Sequence, residues 1–111
     1  HNIKSCILSN GSYDMLNAAI KNSKLEVLID NVFSVDICRR FKPSPEVYEL
    51  VIREYKEEKN NFVFFSSNSW DIHGASCFGF KTVWVNRYKK VDDYLPGKCD
   101  QVIEQLSDYS I

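Results

Sequence analysis

Short apolar runs alternate along the chain with longer stretches in which apolar residues recur every three or four positions. The sharpest change of pattern falls in Asn61-Phe62-Val63-Phe64-Phe65-Ser66-Ser67-Asn68-Ser69-Trp70-Asp71-Ile72-His73-Gly74-Ala75. There an apolar run ends in small polar residues and the pattern restarts at helical spacing. A buried parallel strand that delivers polar groups to its carboxyl end reads this way. Ligands in open α/β sheets bind at that edge.

The same alternation places the other elements. Lys4 to Ser9 reads as a short strand, and Asn10-Gly11-Ser12 as a turn. Ser12 suits a helix N-cap, and Asp14 suits the first turn. Leu16, Ala19, Ile20 and Ser23 then predict a helix near 13–24. Val32 to Val35 is the next strand. Pro43 keeps Lys42 extended, Ser44 can cap, and Pro45 fits the first helical position. Val47, Leu50, Val51, Glu54 and Tyr55 predict a helix near 45–58. A strand near 62–66 and a helix at 71–78 follow, with Gly79 as the C-cap. Thr82 to Val85 is a fourth strand. A polar loop with Pro96-Gly97 leads to an expected short helix near 100–107, through Val102, Ile103 and Leu106. Four strands alternating with four helices predict an α/β, Rossmann-like parallel sheet with helices on both faces. No internal repeat or low-complexity segment interrupts it.

Composition narrows this further. At 111 residues, the chain is expected to form one domain spanning 1–111, and 44% apolar residues supply a core. Lys and Arg number 14, Asp and Glu 15, and no basic stripe points to nucleic acid. No apolar run reaches the roughly 18 residues of a membrane span, and His1 to Ser5 does not read as a signal peptide. The chain does not begin with Met, so translation need not have begun here. Cys6, Cys38, Cys77 and Cys99 are 32, 39 and 22 residues apart, without the close spacing of a zinc site. They read as reduced, buried thiols of a cytoplasmic protein.

Candidate chemistry gathers at three places on one predicted sheet edge. These are Ser9-Asn10, Lys42, and Ser66 through Asp71. A lysine, a carboxylate and several hydroxyls suit a hydrolytic site. Each residue has a plainer role as well. Asp71 could simply cap a helix, Tyr48 and Trp70 could be core aromatics, and Lys42 could be a bystander. His73 has no partner at metal-ligand spacing and reads as structural or exposed.

Together, Leu8-Ser9-Asn10-Gly11-Ser12, Phe41-Lys42-Pro43-x-x-x-Val47-Tyr48, Ser66-Ser67-Asn68-Ser69-Trp70-Asp71-x-x-Gly74-Ala75, Phe78-Gly79-Phe80 and Trp84-Val85-Asn86-Arg87 resemble the haloacid dehalogenase superfamily. The closer likeness is to its L-2-haloacid dehalogenase branch, over the carboxyl-terminal part of the core domain. In that family an aspartate displaces halide from a short 2-haloacid, and water hydrolyses the resulting ester. The resemblance implies catalytic roles for Lys42, Asp71, Ser66 and Asn68. Lys42 would keep the nucleophilic carboxylate ionised, Ser66 and Asn68 would fix its network, and Asp71 would position or activate water. Ser9, Asn10, Tyr48 and Trp70 would bind substrate or halide. Phosphatase relatives carry an acidic residue for magnesium where this chain has neutral Ser67. No metal and no cofactor are therefore expected.

The family's first motif, an apolar strand ending in the nucleophilic aspartate, has no match. Val27-Leu28-Ile29-Asp30 is only superficially like it. The halide-gripping arginine and the helical cap are also unmatched. The resemblance therefore implies a site that is incomplete within these residues. It also implies exposed ladder groups or apolar faces on the strands of Ser9 and of Phe62–Ser66, between which the missing strand would lie. It leaves open a complementing amino-terminal half or a homo-oligomer. The rival readings are a phosphatase of the same superfamily, or an inactive core fragment serving as a binding or oligomerisation module.

Overall fold

A computed structural model describes residues 3–23, 28–36 and 38–110. The order of elements is β1 (Cys6–Ser9), α1 (Tyr13–Asn22), β2 (Asn31–Ser34), α2 (Pro45–Tyr55), β3 (Val63–Ser66), α3 (Ser69–Phe78), β4 (Lys81–Val85) and β5 (Gln101–Ile103), with 3-10 turns at Lys59–Asn61 and Leu106–Asp108. The predicted end of the first helix at Lys24 and part of the Val27–Asp30 segment lie outside the described residues. The chain divides into two compact units, His1–Glu54 and Tyr55–Ile111.

In the first unit β1 and β2 pair in parallel, from Cys6 opposite Asn31 to Ser9 opposite Ser34. Ser12 caps α1 as its sequence predicts, accepting from the Met15 N–H at 3.3 Å. Ile20 is buried from α1, Phe33 from β2, and Val35 just after it. From α2, Val47, Tyr48, Leu50 and Val51 are buried at the spacing that predicted the helix. The helix stops at Tyr55 rather than 58. Lys56 turns to φ 53°, a left-handed conformation that a continuing helix does not contain.

In the second unit β3, β4 and β5 form a parallel sheet in that order, with Val63 opposite Lys81 and Val83 opposite Gln101. α3 begins at Ser69, two residues before its predicted start, and packs on β3 and β4. Gly79 closes it at φ 119°, with its N–H on the Ala75 and Ser76 carbonyls. Phe80 is buried amid Phe62, Phe64 and Phe78, with ring centroids 5.0–6.1 Å away.

Two expectations are corrected here. Residues 100–107 are not a helix: Gln101–Ile103 is a strand and Leu106–Asp108 a 3-10 turn. The Asp100 carboxylate accepts from the Thr82 N–H at 2.8 Å, while the Asp100 N–H donates to Thr82 Oγ1 at 3.2 Å. This reciprocal pair starts the chain beside β4, where β-branched Val102 and Ile103 fit a pleated surface. There are accordingly five strands and three α-helices among the described residues. Secondly, β3 is not buried throughout. It bonds only β4 among the described residues, and Val63 and Phe65 are 41% and 36% exposed. Phe65 meets Tyr109 edge-to-face at 4.9 Å.

The outcome is an α/β arrangement with every strand pairing parallel. No helix among the described residues is long and apolar enough to cross a membrane. No disulfide joins the four cysteines, and the expectation that they are buried is corrected: Cys77 is exposed and Cys6, Cys38 and Cys99 are half-buried.

Candidate functional site

The chain leaves β1 through Ser9-Asn10-Gly11, and each residue is fixed by a specific bond. Ser9 Oγ accepts from the Gly11 N–H at 3.0 Å. Asn10 Oδ1 accepts from the Lys42 N–H at 2.8 Å. Lys42 returns its ammonium to the same strand end, donating to the Leu8 carbonyl at 3.2 Å. The structure thus brings Ser9, Asn10 and Lys42 together, although 32 residues separate the last two. Tyr48 belongs to the first turn of α2 and is fully buried, so it is closed to solvent.

Two further residues support this turn. Ser34, also fully buried, donates to the Gly11 carbonyl at 2.7 Å and accepts from the Asp36 N–H at 3.1 Å. Asp36 accepts from the Tyr13 N–H at 3.1 Å, placing a carboxylate at the positive end of α1. Sequence reasoning passed over both. A serine inside the apolar run Val32-Phe33-Ser34-Val35 was the available signal for Ser34; nothing in the pattern singled out Asp36.

The second group lies at the carboxyl end of β3. Ser66 Oγ accepts from the Asn68 N–H at 3.1 Å, closing a side-chain turn. The Ser67 carbonyl accepts from the Trp84 indole N–H at 3.2 Å. Asn68 is the N-cap position of α3, though its side chain makes no capping bond. Asp71 is therefore not the cap but the third residue of the helix, and it is buried at 2% exposure. Trp70 is half-buried beside it in the first turn. Ser66, Asn68, Trp70 and Asp71 thus occupy a six-residue stretch around one strand-to-helix turn.

His73, one turn along α3, is buried and not exposed. Its Nε2 lies 2.7 Å from Asp92 Oδ1, and its Nδ1 lies 3.1 Å from the Gly97 carbonyl. The bond to Asp92 raises the imidazole above its ordinary pKa. Burial opposes this, while the Asp92 charge and the Gly97 and Pro96 carbonyls add to the rise. Among the described residues, no three His, Cys, Asp or Glu side chains form a group able to hold a metal ion.

Strand-to-helix turns of this kind, on parallel strands, have close counterparts. The haloacid dehalogenase-like hydrolase model matches residues 1–79. The chain is 38% identical over 102 residues to (S)-2-haloacid dehalogenase 4A of Burkholderia cepacia, covering 92% of this chain and 44% of that protein. It is 40% identical over 90 residues to (S)-2-haloacid dehalogenase 1 of Pseudomonas sp. (strain CBS-3), covering 81% of this chain and 40% of that protein. The structure of L-2-haloacid dehalogenase from Xanthobacter autotrophicus with chloropropionic acid covalently bound superposes with TM-score 0.91 at 32% identity. That alignment covers 96% of this chain and 53% of that one.

The chain belongs to the haloacid dehalogenase-like hydrolase family. Its likeness to the L-2-haloacid dehalogenase branch, drawn above from motifs, holds across nearly the whole of its length. The chain spans under half the length of these two curated relatives.

Proposed function

We propose that these residues are part of an enzyme that hydrolytically dehalogenates a short 2-haloacid. The observation that carries this reading is the double attachment of Lys42 to the end of β1, through Asn10 and the Leu8 carbonyl. It supports the reading by holding the Lys42 ammonium at the end of β1, where the proposal sets the counter-charge of a carboxylate nucleophile. The relatives' names supply the substrate class, and the covalently bound chloropropionic acid of the Xanthobacter enzyme supports an ester route.

In the proposed reaction, an aspartate outside these 111 residues attacks C2 of the haloacid. The carbon–halogen bond breaks, and halide leaves with its electron pair. Water then adds to the ester carbonyl, with Asp71 positioning it or accepting its proton. Cleavage of the acyl–oxygen bond releases a 2-hydroxy acid and restores the carboxylate. Ser66 and Asn68 hold that carboxylate's network. Ser9, Asn10 and Trp70 face the substrate or halide, while Tyr48, closed to solvent in α2, is kept at the site only because the resemblance implies it. We read the two compact units as parts of one core domain of a cytoplasmic enzyme, completed by an amino-terminal segment or a second chain. Neutral Ser67 favours this reading over a magnesium-dependent phosphatase.

The test is chloride release from (S)-2-chloropropionate. The 111-residue chain alone should release none. The chain mixed with or fused to the amino-terminal part of the Burkholderia relative should release it. Lys42→Ala should lower that rate at least about 100-fold, the scale of losing a positioned charged group. Release by the chain alone, or a complemented enzyme indifferent to Lys42→Ala, would overturn the proposal.

A further inference from the structure

The segment after β4 reads as a solvated polar loop, yet it is stitched along one face of α3. The Asp93 carboxylate accepts from the Ser69 hydroxyl, and the Asp93 N–H donates to Ser69 Oγ at 3.4 Å. Asp92 and the Gly97 carbonyl take the two ring nitrogens of His73. The Lys98 N–H donates to Ser76 Oγ at 2.9 Å. Ser69, His73 and Ser76 are spaced four and three apart, so they form one stripe on the helix. Gly97 fits because it lacks a side chain: a Cβ there would stand 2.7 Å from the His73 carbonyl oxygen, and its φ is 105°.

The His73 contacts carry a charge requirement. A carboxylate and a carbonyl can only accept, whereas a neutral imidazole has one N–H and one lone pair. Both bonds exist together only when both ring nitrogens are protonated. The His73 side chain is 7% exposed, so a lone pair facing an acceptor there would find little water to replace the lost bond. We propose that His73 is a positioning residue, a proton-dependent latch that holds segment 92–98 on α3 and so steadies the first turn bearing Asn68 and Asp71.

The role given to Asp71 rests on the function proposed above; the latch does not. The segment held against His73 itself carries Asp92, Asp93, Tyr94 and Lys98. Asp92 faces it from the loop, with Asp93 nearby on Ser69. On α3 itself Asp71 lies in the preceding turn, and Cys77 lies one turn on, its thiol beside Gly97. On β3 and β4, against which α3 packs, the only titratable side chain is that of Lys81, at the exposed start of β4.

The direction follows from linkage. A histidine pKa raised by folding stabilises fully below its unfolded value, near about 6.5. That contribution is lost as pH rises through the folded value. The latch is therefore closed in mild acid and loosens at higher pH.

Two measurements on the 111-residue chain test it. In an NMR titration, His73 should titrate above about 6.5, its signal separated from that of His1 by comparison with His73→Gln. Asp92→Asn should bring the value down. Asp92 is 49% exposed, so the variant should fold. At fixed mildly acidic pH, Asp92→Asn should also speed exchange of the Lys98 amide by about tenfold, the factor carried by one charge-assisted hydrogen bond. Asp92→Glu should restore much of that protection. Titration of His73 at or below about 6.5, or unchanged Lys98 exchange in Asp92→Asn, overturns the latch. In the complemented enzyme, Asp92→Asn should displace the alkaline limb of the chloride-release profile. A closed latch with an unmoved profile would overturn the positioning role alone. No release from any complemented form would instead count against the proposed function and leave the exchange result standing.

Discussion

The two units hold their strand ends by different means. In the first, the turn after β1 is fixed mainly by hydroxyl, amide and backbone groups: Ser9 with Gly11, Ser34 with Gly11, and Asn10 with Lys42. In the second, the helix after β3 is held through its own Ser69 and His73 by carboxylates reaching in from a loop 19–24 residues away. Their cores differ too. The first buries mostly aliphatic side chains, while the second centres on a cluster of phenylalanines. Neutral bonds of the first kind do not titrate near neutrality, so sensitivity to pH should concentrate in the second unit. Large losses on truncating phenylalanine should appear there as well, because Phe62, Phe64 and Phe78 all pack on Phe80.

Phe80→Ala is the strongest challenge to that contrast. Phe80 is 5% exposed and touches three other rings. Truncation should cost about 3–5 kcal/mol, the range for a buried phenylalanine that leaves a cavity. Urea unfolding followed by tryptophan fluorescence would report it, since Trp70 and Trp84 both lie in this unit. A loss below about 1 kcal/mol would mean that the ring cluster collapses freely and does not anchor the second unit.

Ser34→Ala asks the same of the first unit. It removes one hydroxyl and leaves the part-buried Gly11 carbonyl and the Asp36 N–H without it. The expected cost is about 1 kcal/mol, the net worth of such hydrogen bonds where water can partly replace the hydroxyl. Its size should not vary between pH 6 and 8, in contrast to substitutions at Asp92. Strong pH dependence for Ser34→Ala would erase the distinction between the neutral and the titrating unit.

Much of this architecture was legible because the signals are local. Ser12, Pro45 and Gly79 mark helix ends through their own backbone chemistry, and each stands where its residue type predicts. The polar residues after β1 and β3 were recognisable because each group is nearly contiguous. What escaped depends on partners distant in sequence. Val102, Ile103 and Leu106 fit a helical face as well as a strand, and only Thr82 and Asp100 decide between them. The run Lys56-Glu57-Glu58-Lys59 has good helix propensity, yet the chain turns at Lys56. Asp92 and Asp93 look like ordinary solvated acids until Ser69 and His73 are seen beside them. The exposure of β3 was signalled only by the unmatched first motif and its missing strand; the apolar run itself reads alike whether it has one neighbour or two.

The finest comparison is between the two helix starts. Ser12 and Asn68 are both favourable N-cap types, and both precede a helix of ten residues. Ser12 caps with its hydroxyl, so Ser12→Ala should cost about 1 kcal/mol. Asn68 makes no side-chain capping bond and is exposed. Asn68→Ala should therefore change stability by no more than about 0.5 kcal/mol, as for an uninvolved surface position. If Asn68 holds a carboxylate network in the complete enzyme, the same substitution should still lower chloride release sharply. A stability cost like that of Ser12→Ala with unchanged release would make Asn68 a structural cap and remove it from the proposed site. A near-neutral effect on folding with a large effect on release would show that this residue is placed for chemistry and not for the helix.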